Sequence, residues 1–144
     1  MRWGRGVIGG SDLVYSRGMK THFEQTLTSE KFGIKVIEEV VGGEAIHHTA
    51  INSNSPIDFE LNGLSFDVKY ANPSMVSSHK TLPLWDFDLK HLKEYCDYMV
   101  LIGMKNFAPV RVFLVPNDRR AKRHIRVSID GSSKWNEYVV WSRS

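Results

Sequence analysis

The chain has 144 residues, 42% hydrophobic and 24% charged, which are the proportions of one folded domain with a buried core rather than of a disordered or fibrous protein. Its net charge of +3 and sequence pI of about 9.0 tilt it mildly toward a polyanionic partner. A single cysteine, Cys96, excludes an intrachain disulfide and a zinc–thiolate cluster. No stretch nears the roughly 18 apolar residues of a membrane span, and the first residues lack the apolar run of a signal peptide. The expectation is an intracellular, cytoplasmic protein with no membrane partner.

Residues 1–20 contain five glycines and a basic set, Arg2, Arg5, Arg17 and Lys20, interspersed with Trp3 and Tyr15. Such an arm is one way to hold phosphates and bases; it is equally a flexible start that packs one Trp onto the domain. Residues 21–41 carry apolar groups at Phe23, Leu27, Ile34, Ile37 and Val41, the spacing of an amphipathic helix. Glu30 falls inside that stripe, where a carboxylate needs a partner or a metal unless it reaches out to water. Glu24 is the competing acid, at the stripe's margin. Gly33 opens a close approach to a neighbouring layer, and Gly42-Gly43 stops the helix.

Residues 44–50 read as a strand, with His47 and His48 on opposite faces and without metal-ligand spacing. A turn-rich loop, Asn52 to Pro56, leads into Ile57 to Tyr70, which reads as a β-hairpin. Asn62-Gly63 accepts the positive φ angles of a two-residue type I′ turn. Counting outward pairs Leu61 with Leu64, Phe59 with Phe66 and Asp58 with Asp67. One face is apolar; the other sets two carboxylates opposite each other, with Lys69 two residues further along. Like charges opposed across strands destabilise a sheet unless they share a proton or hold a cation, and oxygen ligands suit Mg²⁺. A plain solvated face is the alternative.

Residues 72–85 read as a polar loop whose basic groups are His79 and Lys80. Residues 86–97 read as a second helix with Asp86 as N-cap and a stripe of Leu89, Leu92 and a buried Cys96. Lys90, His91 and Lys93 would lie near its outer face. Tyr98 to Met104 and Val110 to Pro116 are strand-like, and Ile125 to Ile129 is read as the last strand. Between them Arg119, Arg120, Lys122, Arg123 and His124 form the densest positive cluster, a solvated surface or a phosphate contact.

Asp58 followed by Asp67-Val68-Lys69 resembles the PD-(D/E)xK motif of the restriction-endonuclease-like nuclease superfamily. Pro56 stands one residue before the position the family prefers, because Ile57 intervenes. The resemblance covers residues 21–116, and the ending SSKWNEYVVW is similar to aromatic tails of phage and intron-encoded members. It implies an α/β fold with an αβββαβ core, a mixed central sheet flanked by helices. The order helix, three strands, helix, two strands points the same way.

The domain would run over 1–144, with a basic arm (1–20), a catalytic core (21–116) and a basic, aromatic extension (117–144). The resemblance implies Mg²⁺ or Mn²⁺ held by Asp58, Asp67, Glu30 and the backbone carbonyl of Val68, with Lys69 orienting a water or meeting developing charge. It implies hydrolysis of DNA phosphodiesters to a 5′-phosphate and a 3′-hydroxyl. DNA would be gripped by Arg2, Arg5, Arg17, Lys20, Lys80, Arg119, Arg120, Lys122 and Arg123. The substrate is double-stranded or branched DNA, and a two-fold substrate suits a homodimer or higher homo-oligomer. A bacterial, archaeal or phage-encoded homing or restriction-type endonuclease fits best. A Holliday-junction resolvase and an inactive DNA-binding module remain open. A metal hydrolase acting on other substrates is disfavoured, because no His-rich ligand set is present.

Overall fold

The computed structural model describes residues 22–48, 57–74, 83–89, 96–118 and 123–143, with the backbone alone for 22–27. Helix α1 spans His22–Val41 and nine strands follow among these residues. They are β1 (Ile46–His47), β2 (Phe59–Leu61), β3 (Leu64–Ala71), β4 (Pro73–Ser74), β5 (Leu84–Asp88), β6 (Tyr98–Lys105), β7 (Ala108–Pro116), β8 (His124–Ser128) and β9 (Val139–Ser142). A 3-10 helix, Lys134–Tyr138, precedes β9. The protein is α/β with a mixed sheet: six strands in the order β1-β2-β3-β6-β7-β9, in which β3 and β6 are parallel and the other neighbours antiparallel. A second sheet has the order β4-β5-β8.

The β2–β3 hairpin forms in the register that Asn62-Gly63 dictates, Phe59 opposite Phe66 and Leu61 opposite Leu64. Asn62 (φ 53°) and Gly63 (φ 82°) both take left-handed φ, as a type I′ turn requires. Phe59 and Phe66 stack with ring centroids 4.7 Å apart. The β6–β7 turn uses the same device with two non-glycine residues, Asn106 (φ 53°) and Phe107 (φ 63°).

The six-stranded sheet is covered on both faces. On one, Phe32, Ile34, Val36 and Ile37 of α1 pack against Phe66, Val100, Ile102 and Val112. Gly33 permits this approach: a Cβ there would lie 3.2 Å from Val68 and Ile102. On the other face Trp85, Phe87, Ile125 and Val127 of the second sheet meet Met99, Leu101, Phe113 and Val115.

Several expectations need correction. The helix expected over 86–97 is not present in its described part, because Leu84–Asp88 is a strand. Trp85 and Phe87 are fully buried while Asp86 faces Arg126 and His124 of β8, which is period-two alternation rather than helical spacing. Asp86 is therefore a mid-strand residue and no N-cap, and Pro73–Ser74 is paired strand rather than loop. Ile125–Ile129 is not the last strand: the tail residues Val139–Ser142 add β9 to the edge of the large sheet beside β7. Among the described side chains of α1 the buried polar one is Ser29, at 1% exposure, while Glu30 is half-buried beside the stripe and Val41 is 39% exposed. Cys96 is buried, as its apolar setting suggests.

The second sheet is locked down by Trp85. Its Nε1 donates to the Met104 carbonyl at 2.8 Å, and its ring lies so close to Gly103 that a Cβ there would stand 2.5 Å from it. Gly103→Ala must therefore displace a buried ring. We expect a loss of about 1–3 kcal/mol, the usual cost of overpacking a core, read as a lowered urea midpoint at unchanged slope.

Candidate active site

Asp58 sits just before β2 and is held through three of its own groups. Its N–H donates to the Phe66 carbonyl at 3.0 Å, and its carbonyl accepts from the His48 N–H at 2.8 Å. Its carboxyl Oδ2 accepts from the Val68 N–H at 2.7 Å. The side chain thus takes a ladder position that the β2 backbone does not fill. In a strand the N–H and carbonyl of one residue point the same way, so the Val68 carbonyl also faces this side.

Asp67 lies one residue before Val68, on the sheet face shared by Lys69 and Ala71. It is 8% exposed, and Lys69 places its ammonium 3.4 Å from Oδ2. That oxygen is buried without a hydrogen-bond partner. The carboxyls of Asp58 and Asp67 are hydrogen-bonded to each other. Burial, then the Asp67 charge, push the Asp58 carboxyl up to about 7, against the pull of the Val68 N–H and Lys69. Burial also raises Asp67, while Lys69 and the Asp58 hydrogen bond draw it back. The pair as a whole therefore holds a proton more readily than two free carboxyls would.

The structure brings Asp58, Asp67, Val68 and Lys69 together. Glu30 belongs to α1, which packs on the opposite face of the sheet. It reaches Asp67 as a negative charge, the smallest of the influences on that carboxyl. Among the described residues no three His, Cys, Asp or Glu side chains group as a metal site. The Glu24 side chain lies outside the described residues. His48 pairs with Glu60 at 2.7 Å beside Asp58, and His47 is exposed. The His48–Glu60 pairing does not follow from spacing in sequence.

Of the basic residues expected to grip DNA, Arg123 is described: its side chain is 62% exposed, with Nε 3.7 Å from Asp88. Arg2, Arg5, Arg17, Lys20, Lys80, Arg119, Arg120 and Lys122 lie outside the described residues, as do His79, Lys90, His91, Leu92 and Lys93. No helix among the described residues is long and apolar enough to cross a membrane.

The donor chemistry fits a hard divalent cation. Two neighbouring carboxyls are both held above their ordinary range by burial, and the buried Asp67 Oδ2 faces the Lys69 ammonium without a well-formed hydrogen bond. No protein-family model, curated protein or solved structure matches the chain.

The raised carboxyls link stability to pH. The folded chain holds a proton on the pair that the unfolded chain releases near the ordinary value of 3.8, so between about 4 and about 7 the folded state binds more protons. Stability of the metal-free protein should therefore be greatest at the acid end of that window and fall as pH rises through it. Calorimetry in EDTA is expected to show a lower Tm at pH 8 than at pH 5. Asp58→Asn, which keeps an acceptor for the Val68 N–H, is expected to flatten the difference by raising the value at pH 8.

Proposed function

We propose that the chain is a metal-dependent DNA endonuclease that hydrolyses phosphodiester bonds, of the sequence-specific homing or restriction type. The observation that carries this reading is the neighbouring carboxyls of Asp58 and buried Asp67, one held by the Val68 N–H and the other 3.4 Å from the Lys69 ammonium, set into a mixed sheet. Paired carboxyls are a costly feature to bury in a core, and a cation offsets the cost. The lysine supplies the cationic group that a phosphate reaction requires.

Asp58 and Asp67, with the Val68 carbonyl, would hold Mg²⁺ or Mn²⁺. Bound there, the ion supplies Lewis acidity toward the scissile phosphate and makes a water easier to deprotonate. The protein's own groups do the rest. The pair gives up its proton as the cation is taken up, which leaves both carboxylates charged. The Val68 N–H keeps the Asp58 carboxylate aimed while that charge changes. Lys69, 3.4 Å from Asp67, neutralises part of the pair and faces the negative charge that builds on the phosphate oxygens. Glu30 adds a third negative charge to the field at Asp67. Arg123, together with the basic residues outside the described set, would hold the flanking phosphates. A second copy would supply the site for the opposite strand.

The test is cleavage of supercoiled plasmid, a random duplex library and a synthetic four-way junction, with Mg²⁺ and with EDTA. Cutting that requires Mg²⁺ and drops on the order of 100-fold or more in Lys69→Ala and in Asp67→Asn is expected. Cutting indifferent to both substitutions, or none of any DNA by wild type, overturns the reading.

A further inference from the structure

Asp67 is the first member of a row that crosses the sheet. The register sets Met99 of β6 beside it and Val115 of β7 beside Met99, all on one face. Neighbouring strands are ~4.8 Å apart, so these residues stand about 5 and about 10 Å along the row. There a cavity of ≈ 400 Å³ opens, walled by Met99 and Val115, by the rings of Trp135 and Tyr138, and by Asp118, His124 and Lys134. Pockets for small ligands run from roughly 300 to 1,000 Å³.

The aromatic wall comes from the 3-10 helix Lys134–Tyr138, whose start is fixed by Ser133 Oγ accepting from the Trp135 N–H at 3.2 Å. The Trp135 and Tyr138 rings are 5.8 Å apart and tilted by 38°. Neither is fully buried. Two cationic or hydrogen-bonding groups flank them. Lys134 is exposed and holds its ammonium 5.3 Å from the Trp135 ring centre. His124 is oriented by Asp86, which its Nδ1 meets at 2.8 Å, leaving Nε2 on the far edge of the ring. Asn117 is fixed in the same wall by donating to the Cys96 carbonyl at 2.8 Å.

Flat aromatic surfaces, amide, imidazole and carboxylate edges that can hydrogen-bond a heterocycle, and a lysine at the rim suit a planar base carrying a phosphate. We propose that this cavity receives the base of an unpaired nucleotide next to the scissile phosphate, stacked on Trp135, with Lys134 and His124 toward its phosphate. The substrate identity rests on the nuclease reading above; the nucleotide chemistry of the cavity rests on its own lining. A base held in a duplex must leave its stack to enter, at a cost that is smallest where it is already unpaired. The cavity therefore takes an already unpaired base more readily than one in a continuous duplex, which must first be flipped out of its stack.

The test is binding in EDTA, where cleavage does not intervene. The probe is a DNA flap bearing 2-aminopurine at the unpaired position, against a fully paired duplex of the same sequence. Wild type should quench the flap fluorophore and prefer the flap. Trp135→Ala should weaken flap binding about 10-fold or more and leave duplex binding within about twofold, while Trp135→Phe keeps most of the affinity, as stacking predicts. Lys134→Ala, an exposed change that leaves the ring in place, should weaken flap binding and leave quenching at saturation intact. Absence of quenching by wild type overturns the proposal. So does equal loss on flap and duplex in Trp135→Ala and Lys134→Ala variants with unchanged melting. The two readings fail separately. Mg²⁺-dependent cutting with a flap preference that Trp135→Ala leaves untouched removes the cavity from the mechanism. Trp135-dependent quenching by a protein that cuts nothing keeps the cavity and removes the nuclease.

Discussion

The parallel pairing of β3 with β6 is the constraint on which the layers depend. Parallel neighbours cannot be joined by a tight turn, so the chain must leave the sheet after β3 and return to begin β6. Part of that excursion, β4 and β5, builds the second sheet and covers the face opposite α1. With both faces covered, β3 and β6 are central strands, and Tyr98–Lys105 is buried over six consecutive residues. Asp67 is thereby carried into a desolvated row, and desolvation is the largest influence on its carboxyl. The chemistry at Asp58 and Asp67 is a product of strand order as much as of residue type.

Much of this could be read from short-range pattern. The Asn62-Gly63 turn and the alternation around it set the register of Phe59–Leu61 against Leu64–Phe66, because type I′ geometry and period two leave little freedom. Asp58, expected opposite Asp67 in that register, lies just outside the ladder, its N–H meeting the Phe66 carbonyl and its carboxyl the Val68 N–H. The end of α1 at Gly42-Gly43 is equally local: both glycines take positive φ. Asn62 closes over that end by donating to the Gly42 carbonyl at 3.2 Å.

What was not legible depended on partners far away in sequence. Leu84–Asp88 alternates as a strand does, but Asp86 imitates an N-cap. Its real partners, His124 and Arg126, are 38 and 40 residues away. Glu30 and Ser29 are adjacent, and helical periodicity admits either into the stripe. The choice is made by Gly33 pressing on Val68, Val100 and Ile102, a contact between layers. Ser133 two residues before Trp135 is a cap signal that was available, whereas the meeting of Trp135 with Met99 and Val115 was not.

The same strand order has a kinetic side. The hairpins β2–β3 and β6–β7 each close through two residues, so they form from neighbours in the chain. Phe66 and Tyr98, which begin the parallel pairing, are 98 − 66 = 32 residues apart. Closing that loop costs chain entropy before any contact returns it, and such pairings are the slow part of folding. A nascent chain can thus hold the two aspartates on a solvated hairpin, charged and repelling, well before β6 arrives to enclose them. The local code brings the carboxyls side by side; only the long-range closure turns them into a buried pair.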